Sequence, residues 1–408
     1  MMGGQFFATA SQAAYFVLIG RAMGSAQYGA FVGVASFLSV LGQFSTVGMD
    51  LILVRDVSRD RSRFGSSWGL SLEIAFIGFL AISAIALLAG RLFLHGETYW
   101  LIPGILVADC LLAKIALLAS KAFQSVGSFT YSAQVMALTN FTRVLTAGGL
   151  YLWVLRSHRH ATAQMWTSIY WVSSLAAAII GFWLVTVRIG LPRWARVDFH
   201  AIVEGLGFSV SSSSISIYND IDKTILVALG QNQAAGIYSA AYRIIDVAST
   251  PIYSVYTAAF PSFFQEGAKS TRDALKLAIK LSRRTIPYSL AAAAFMGLGA
   301  GFLPLVLGRS FGSSVSALRW LCLLPLIRCF HYAAGMTITA SVSQWYRTAQ
   351  QVAVAFLNFG LNMILIPRYS WQGAAAASLL SDGALALMNW AFVIYLIQRQ
   401  KRRLQCLS

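Results

Sequence analysis

The sequence predicts an all-α, polytopic membrane protein of about twelve transmembrane helices in two pseudo-symmetric six-helix bundles, 1–190 and 191–408. Three observations predict it. Hydrophobic residues make up 57% of the 408 residues and charged residues only 11%, against about a quarter charged in soluble domains, and the mean hydropathy is +0.66. Runs of about twenty apolar residues recur, the length a helix needs to cross roughly 30 Å of hydrocarbon. A short pattern also returns near half the chain length. Gly24-Ser-Ala-Gln-Tyr28-Gly29 leads into the second run, and Gly230-Gln-Asn-Gln-Ala-Ala-Gly236-Ile-Tyr238 leads into the eighth. Six spans per half is an even number, so both halves enter from the same side, as parallel repeats about an axis along the membrane normal.

The first span, about 3–20, runs into Arg21 without a basic lead or a small-residue cleavage site, so it is read as a retained helix and not a signal peptide. The abrupt start at Met1-Met2-Gly-Gly leads to the expectation that a few residues precede it. The second span covers 28–52, from Tyr28 through Leu51-Ile-Leu-Val54; the third covers 68–90 and the fourth 100–120, each opened by a tryptophan. The next four fall at 130–155, 163–187, 203–229 and 233–262, and the last four at 286–308, 314–338, 348–366 and 372–397. With the N-terminus inside, nineteen Lys and Arg fall in inner segments and six in outer ones, which orients both termini to the cytoplasm. The net charge of +17 is explained by these loops, and nucleic acid is not an expected partner. The inner stretch Phe264–Thr285 alternates apolar and basic residues at helical spacing, as an amphipathic helix on anionic lipid would.

The four cysteines, Cys110, Cys322, Cys329 and Cys406, show no metal or redox spacing. His158-Arg159-His160 lacks further ligands, so no metal site is expected, and no cofactor. There is no phosphate-binding glycine loop and no nucleophile elbow, which argues against ATP hydrolysis and against an enzyme.

Charges inside the spans carry the functional argument. A charge at bilayer depth costs about 2.5–3.5 kcal/mol on insertion scales, so it must face protein or water. The cations in spans are Lys114, Arg143, Lys223, Arg243, Arg319 and Arg328; the acids are Asp50, Glu73, Asp109, Glu204, Asp220, Asp222, Asp246 and Asp382. The hairpin of spans seven and eight is the densest region. It holds the serine tract Ser209–Ser216, then Tyr218, Asn219, Asp220, Asp222 and Lys223, and after a glycine turn Arg243 and Asp246. It is expected to line a polar, partly cationic cavity.

The turn Met23-Gly24-Ser-Ala-Gln-Tyr28-Gly29-Ala-Phe31, the segment Gly48-Met-Asp50-Leu-Ile-Leu-Val54-Arg55, and the stretch from Asp222 to Gly230 and Gly236 to Arg243 resemble the polysaccharide-biosynthesis flippases. These are the Wzx-type exporters of O-antigen and exopolysaccharide in the multidrug/oligosaccharidyl-lipid/polysaccharide superfamily. Phe123-Gln124-Ser-Val-Gly127 and Ala258-Ala-Phe260-Pro261 fit the same pattern. The resemblance implies two six-helix bundles, alternating access, and an undecaprenyl-diphosphate-linked oligosaccharide moved from the inner to the outer leaflet of a bacterial cytoplasmic membrane. It also implies polysaccharide polymerase and assembly proteins as partners besides membrane lipids.

Such a cargo needs cations for its diphosphate and hydroxyls for its glycan. Lys223 and Arg243 are the leading cations, with Arg143 and Arg328 further candidates, Arg55 at the inner entry and Arg21 at the outer mouth. Ser212, Ser213, Ser216, Tyr218 and Asn219 would form a polar wall, and Asp220, Asp222 and Asp246 are candidates for coupling to H⁺ or Na⁺. Plainer readings stand beside these. Asp220 with Lys223, and Arg243 with Asp246, are three residues apart and could simply neutralise each other. Arg319 and Arg328 could snorkel to an interface, and the serines could serve close helix packing. An ion-coupled drug or organic-cation antiporter of the same superfamily is the rival function; it would call for a net-anionic site.

Overall fold

A computed structural model describes residues 2–194, 199–342 and 344–405, and every described element is helical. Arg196 of the inner loop and Cys406 lie outside the described residues. In chain order the helices are α1 (Met2–Gly42), α2 (Met49–Arg59), α3 (Phe64–Phe93), α4 (Ile102–Ile105), α5 (Ala113–Ser125), α6 (Phe129–Ser157), α7 (Ala163–Arg188) and α8 (Phe199–Ala228). They continue as α9 (Asn232–Ala258), α10 (Phe260–Lys269), α11 (Thr271–Gly299), α12 (Leu303–Leu307), α13 (Ser314–Leu321), α14 (Leu324–Ser341), α15 (Gln344–Tyr369) and α16 (Trp371–Gln405).

Among the described residues, eight helical segments are long and apolar enough to cross a membrane. α6, α8 and α9 are of similar length but more polar, because they carry the serines, asparagines and charges of the sequence pattern. α1 holds two legs, bent where Gly24 takes a φ of 72°. These legs account for the twelve expected spans and make the chain a multi-pass membrane protein.

The structure departs from the expected spans in four places, one of them span ten, which turns at Cys322 and Leu323 between α13 and α14. Span two is not continuous over 28–52: α1 stops at Gly42 and α2 starts at Met49, with turns between. Val47 and Gly48 have φ of 47° and 67°, the left-handed region that a β-branched residue rarely enters. Two glycines let neighbours approach this break, since a Cβ on Gly205 of α8 would run into the Val47 carbonyl and one on Gly78 of α3 into the Ser45 carbonyl. Span four contains a π-turn, Leu106–Leu112, between α4 and α5. Span nine begins far earlier than residue 286. The amphipathic stretch forms α10 and then, past the Ser270 cap, the first turns of α11.

The chain divides into two compact units, Met1–Gly236 and Ile237–Ser408. Within the first of these units α8 packs along α1. In that unit α1 also packs on α6, while α5, α6 and α7 contact one another. An apolar cluster there joins Leu53, Trp68, Leu118, Phe123 and Val185. In the second unit α14 is central, against α10, α11 and α16, with its Met336 packed among Ile252, Tyr256 and Phe263.

Gly29 and Gly236, the two glycines that carry the sequence repeat, meet backbone to backbone within the first unit. A Cβ on Gly29 would strike the Asn232 carbonyl, and one on Gly236 the Ser25 carbonyl. Neither obstacle is a side chain that could swing away. Gly29→Ala or Gly236→Ala is therefore expected to cost about 1–3 kcal/mol, the usual penalty of overpacking. A clear fall in the thermal midpoint of detergent-solubilised protein, absent in Gly149→Ala where a Cβ meets open space, is the check.

Candidate functional site

Each unit holds an arginine in the same kind of setting. In the first, Arg143 sits at the midpoint of α6. Its Nη2 donates to Asp109 Oδ1 at 3.2 Å, and the Tyr170 hydroxyl donates to the same oxygen at 2.6 Å. The guanidinium carbon lies 5.0 Å from the Tyr170 ring centroid, a cation–π distance. Asp109 comes from the π-turn, whose wider winding re-aims side chains, a feature found often at functional sites. Arg143 Nε is buried and has no hydrogen-bond partner among the described residues.

In the second unit Arg328 of α14 donates through Nη1 to Asp246 Oδ1 at 3.0 Å and through Nη2 to the Tyr242 hydroxyl at 3.4 Å. Its guanidinium carbon is 5.5 Å from the Tyr242 ring centroid. Nε lies 3.9 Å from Asp382 Oδ2, and His331 Nε2 lies 3.5 Å from the other oxygen of that buried carboxylate. The reading that Arg328 snorkels to an interface is corrected: its side chain is 8% exposed, held by two carboxylates and an aromatic ring. Arg319, by contrast, is exposed and donates to the Gly297 carbonyl at 3.3 Å.

The hairpin cations are placed differently. Lys223 Nζ pairs with Asp220 Oδ1 at 2.6 Å and donates to the Asn219 carbonyl at 2.8 Å, so the local pair read from the i,i+3 spacing forms. Asp222 is buried and accepts the Lys223 backbone N–H at 2.7 Å. Arg243 is exposed, and Asp246, its expected neighbour, receives Arg328. Arg55 donates to Asp56 at 2.8 Å and pairs with Glu204, joining α2 to α8. Arg21 is exposed.

The serine tract does not form one wall. Ser213 is buried and donates to the Val40 carbonyl at 3.1 Å, a packing role in place of the expected wall position. Ser216 accepts from Gln43 Nε2 at 3.3 Å. Ser212 is exposed, and Tyr218 and Asn219 are half-buried. With a tract that covers every face of the helix, some hydroxyls must turn inward.

Sequence reasoning placed the arginines but missed what surrounds them. Tyr170 and Tyr242 back the guanidinium groups, and His331 shares Asp382 with Arg328. Lys114, one step beyond the π-turn, feels the charges of Asp50 and Asp109 but makes no hydrogen bond or ion pair among the described residues. Its only sequence signal was a lysine within an apolar run.

A sequence model of the family described as polysaccharide biosynthesis protein matches residues 1–266. Among curated proteins, none matches the chain. Three solved structures share its fold at low identity. An inward-facing multidrug resistance MATE family transporter of the MOP superfamily is 15% identical, with a TM-score of 0.80 over 97% of this chain and 96% of that one. The lipid II flippase MurJ is 12% identical, with a TM-score of 0.74 over 96% and 86%. A MOP superfamily transporter from Pyrococcus furiosus is 15% identical, with a TM-score of 0.60 over 96% and 93%.

Removing Arg328 strands Asp382 without its arginine in the interior, and breaking a buried pair from one side costs about 3–5 kcal/mol. Arg328→Ala should therefore lower the thermal midpoint strongly. Arg328→Ala with Asp382→Asn should recover part of that loss, as measured on the same purified protein.

Proposed function

We propose, since this chain belongs to the polysaccharide biosynthesis protein family, that it is a flippase carrying a lipid-linked oligosaccharide from the inner to the outer leaflet by alternating access. The cargo would be an undecaprenyl-diphosphate-linked repeat unit of O-antigen, capsule or exopolysaccharide. The setting would be a bacterial cytoplasmic membrane with both chain termini inside. Coupling to H⁺ or Na⁺ and hand-over to polymerase and assembly proteins belong to the same reading.

One observation carries it. Arg143, Lys223 and Arg328 are cations drawn into the protein, each beside a carboxylate and two of them over a tyrosine ring. Buried ion pairs add little stability over apolar residues of similar volume. Three such clusters in a chain of 11% charged residues are better explained by cargo that is itself charged. Arg243 and Arg21, exposed on their helices, extend the cationic set, while Ser212, Ser216, Tyr218 and Asn219 supply hydroxyls and an amide for sugar. The glycan would be recognised by these donors, the diphosphate by the cations, and the lipid tail would stay in hydrocarbon.

The second reading is an ion-coupled multidrug or organic-cation antiporter. It draws on the MATE fold relative and on the acids in spans, which outnumber the cations there.

In a strain lacking the gene, Lys223→Ala and Arg243→Ala are each expected to block surface-glycan export, with lipid-linked intermediates accumulating while the protein inserts at normal abundance. Normal export by both variants would remove the substrate-contact role of these two residues. Restored drug tolerance with unchanged surface glycan would select the antiporter.

A further inference from the structure

The first turns of α11 are basic on one side only. Arg272, Lys276, Lys280, Arg283 and Arg284 are exposed, three or four residues apart, a spacing that keeps them on one side of a helix. The opposite side is taken by protein. Ala274, Ala278 and Thr285 are buried, and Leu277 and Leu281 pack against the cluster of Tyr256, Cys329 and Ala333. An amphipathic helix binds a leaflet through its apolar side, and here that side is already covered. The interfacial helix expected for this stretch is therefore replaced by one that stands against α14 with its cations outward.

The outward side of α11 is also its lipid side. Beyond Arg284 the same line runs through Tyr288, Phe295 and Leu298, the last two 79% and 85% exposed. No charged residue falls between Thr285 and Leu307. That stretch is about 34 Å of helix, enough to fill roughly 30 Å of hydrocarbon. Lys280, Arg283 and Arg284 thus stand at the polar edge of a face that meets acyl chains.

α16 brings a second set of cations to the same end of the unit. Leu275 of α11 and Ile397 of α16 pack on one cluster, Ala334, Ile338 and Val393, and Arg399, Lys401 and Arg402 follow, all exposed. Tyr395 is exposed one turn before Arg399, and Tyr346 stacks on Phe392 at 5.2 Å; such rings favour the headgroup level. The acids of α10 and α11 are taken, Glu266 by Lys269 and Asp273 by Lys276, each at 2.9 Å, and the α14 and α15 sequences contain none. Among the described residues, Lys280, Arg283, Arg284, Arg399, Lys401 and Arg402 form no ion pair. Like charges gathered at one end repel one another, and an external anion relieves that repulsion.

We propose that this side of α11 and the end of α16 form a docking surface for an anionic diacyl phospholipid, with acyl chains along Phe295 and Leu298 and phosphate among the cations of both helices.

A leaflet lipid matches both parts of the surface, the apolar line and the charges at its edge. A free phosphate or an acidic peptide matches only the charges. Two phosphates on one headgroup serve two helices at once, which favours cardiolipin over lipids with a single phosphate. The surface lies on the lipid-facing side of α11, so it is independent of any cargo, and it makes the surrounding lipid a determinant of this unit's stability.

The test follows the thermal midpoint of delipidated full-length protein in neutral detergent as cardiolipin is titrated in. Phosphatidylcholine of the same chain length and glycerol phosphate are titrated beside it. Cardiolipin should raise the midpoint at concentrations where the other two have no effect. In about 1 M salt, where charges are screened beyond about 3 Å, the rise should shrink. Lys280→Gln/Arg283→Gln/Arg284→Gln and Arg399→Gln/Lys401→Gln/Arg402→Gln should each raise the half-effective cardiolipin concentration about tenfold or more. The charge-keeping Lys280→Arg/Arg283→Lys/Arg284→Lys should respond as wild type. So should Arg91→Gln/Arg156→Gln/Arg159→Gln, which removes the same charge from other exposed positions. Single Arg284→Gln, expected at about threefold, carries the test if a triple variant unfolds without lipid. An equal response to cardiolipin and phosphatidylcholine overturns the surface, as does a wild-type response in either of the first two triple variants. Protection by glycerol phosphate alone overturns it in favour of a free-phosphate site, and an equal loss in the Arg91 triple variant in favour of bulk charge attraction.

Discussion

An ionised side chain in hydrocarbon costs several kcal/mol unless protein or water answers it, and the arrangement of helices in both units follows from that constraint. α3, among the most apolar segments, has 22% of its membrane window buried in protein and gives the rest to lipid. The segment containing α14, which carries Arg328 and His331, has 67% of its window buried. The helices too polar to pass as spans on hydropathy, α6, α8 and α9, are the ones that bear Arg143, Lys223 and Asp246. The charges these helices carry are met by groups of opposite sign.

Regular helices alone would not bring these groups together. The π-turn at Leu106–Leu112 turns Asp109 towards both Arg143 and Tyr170. The break after Gly42 lets α2 restart at Met49, so that Arg55 reaches Glu204 of α8. Irregular backbone at membrane depth has to be covered by protein, since lipid offers no hydrogen bonds. The cover is provided by Gly78 and Gly205, whose missing side chains admit the Ser45 and Val47 carbonyls. Local strain at Val47, about 1–3 kcal/mol for such a backbone, is held in place by that close packing.

What the sequence revealed and what it hid separate by distance along the chain. The spans were legible because hydrophobic length is a local property, and the Asp220–Lys223 pair was legible because three residues apart is one helical face. The Arg143 setting draws on residues 34 and 27 positions away in other helices, and Arg328 meets Asp246 82 positions upstream. Nothing in an apolar run states which neighbouring helix it will face. The break in span two was hidden for a different reason. Residues 28–52 are mostly apolar, and hydropathy does not register a turn that Gly205 of another helix packs against. The serine tract was visible as composition, but which serines turn inward depended on Val40 and Gln43 of α1.

Pairing and transport are not competing explanations for these charges. A carrier must change conformation both loaded and empty, and an unanswered cation would make the empty step costly in a low-dielectric surround. A resident carboxylate lowers that cost by keeping the empty site neutral. It also sets a condition on the cargo, because an anion can bind only where the cation keeps a donor the carboxylate has not taken. Arg328 has both of its amino groups and its Nε answered by neighbouring side chains. Arg143 is answered by Asp109 on one side and keeps a buried Nε without an acceptor among the described residues. Two clusters of one design therefore differ in how completely the empty state answers the cation.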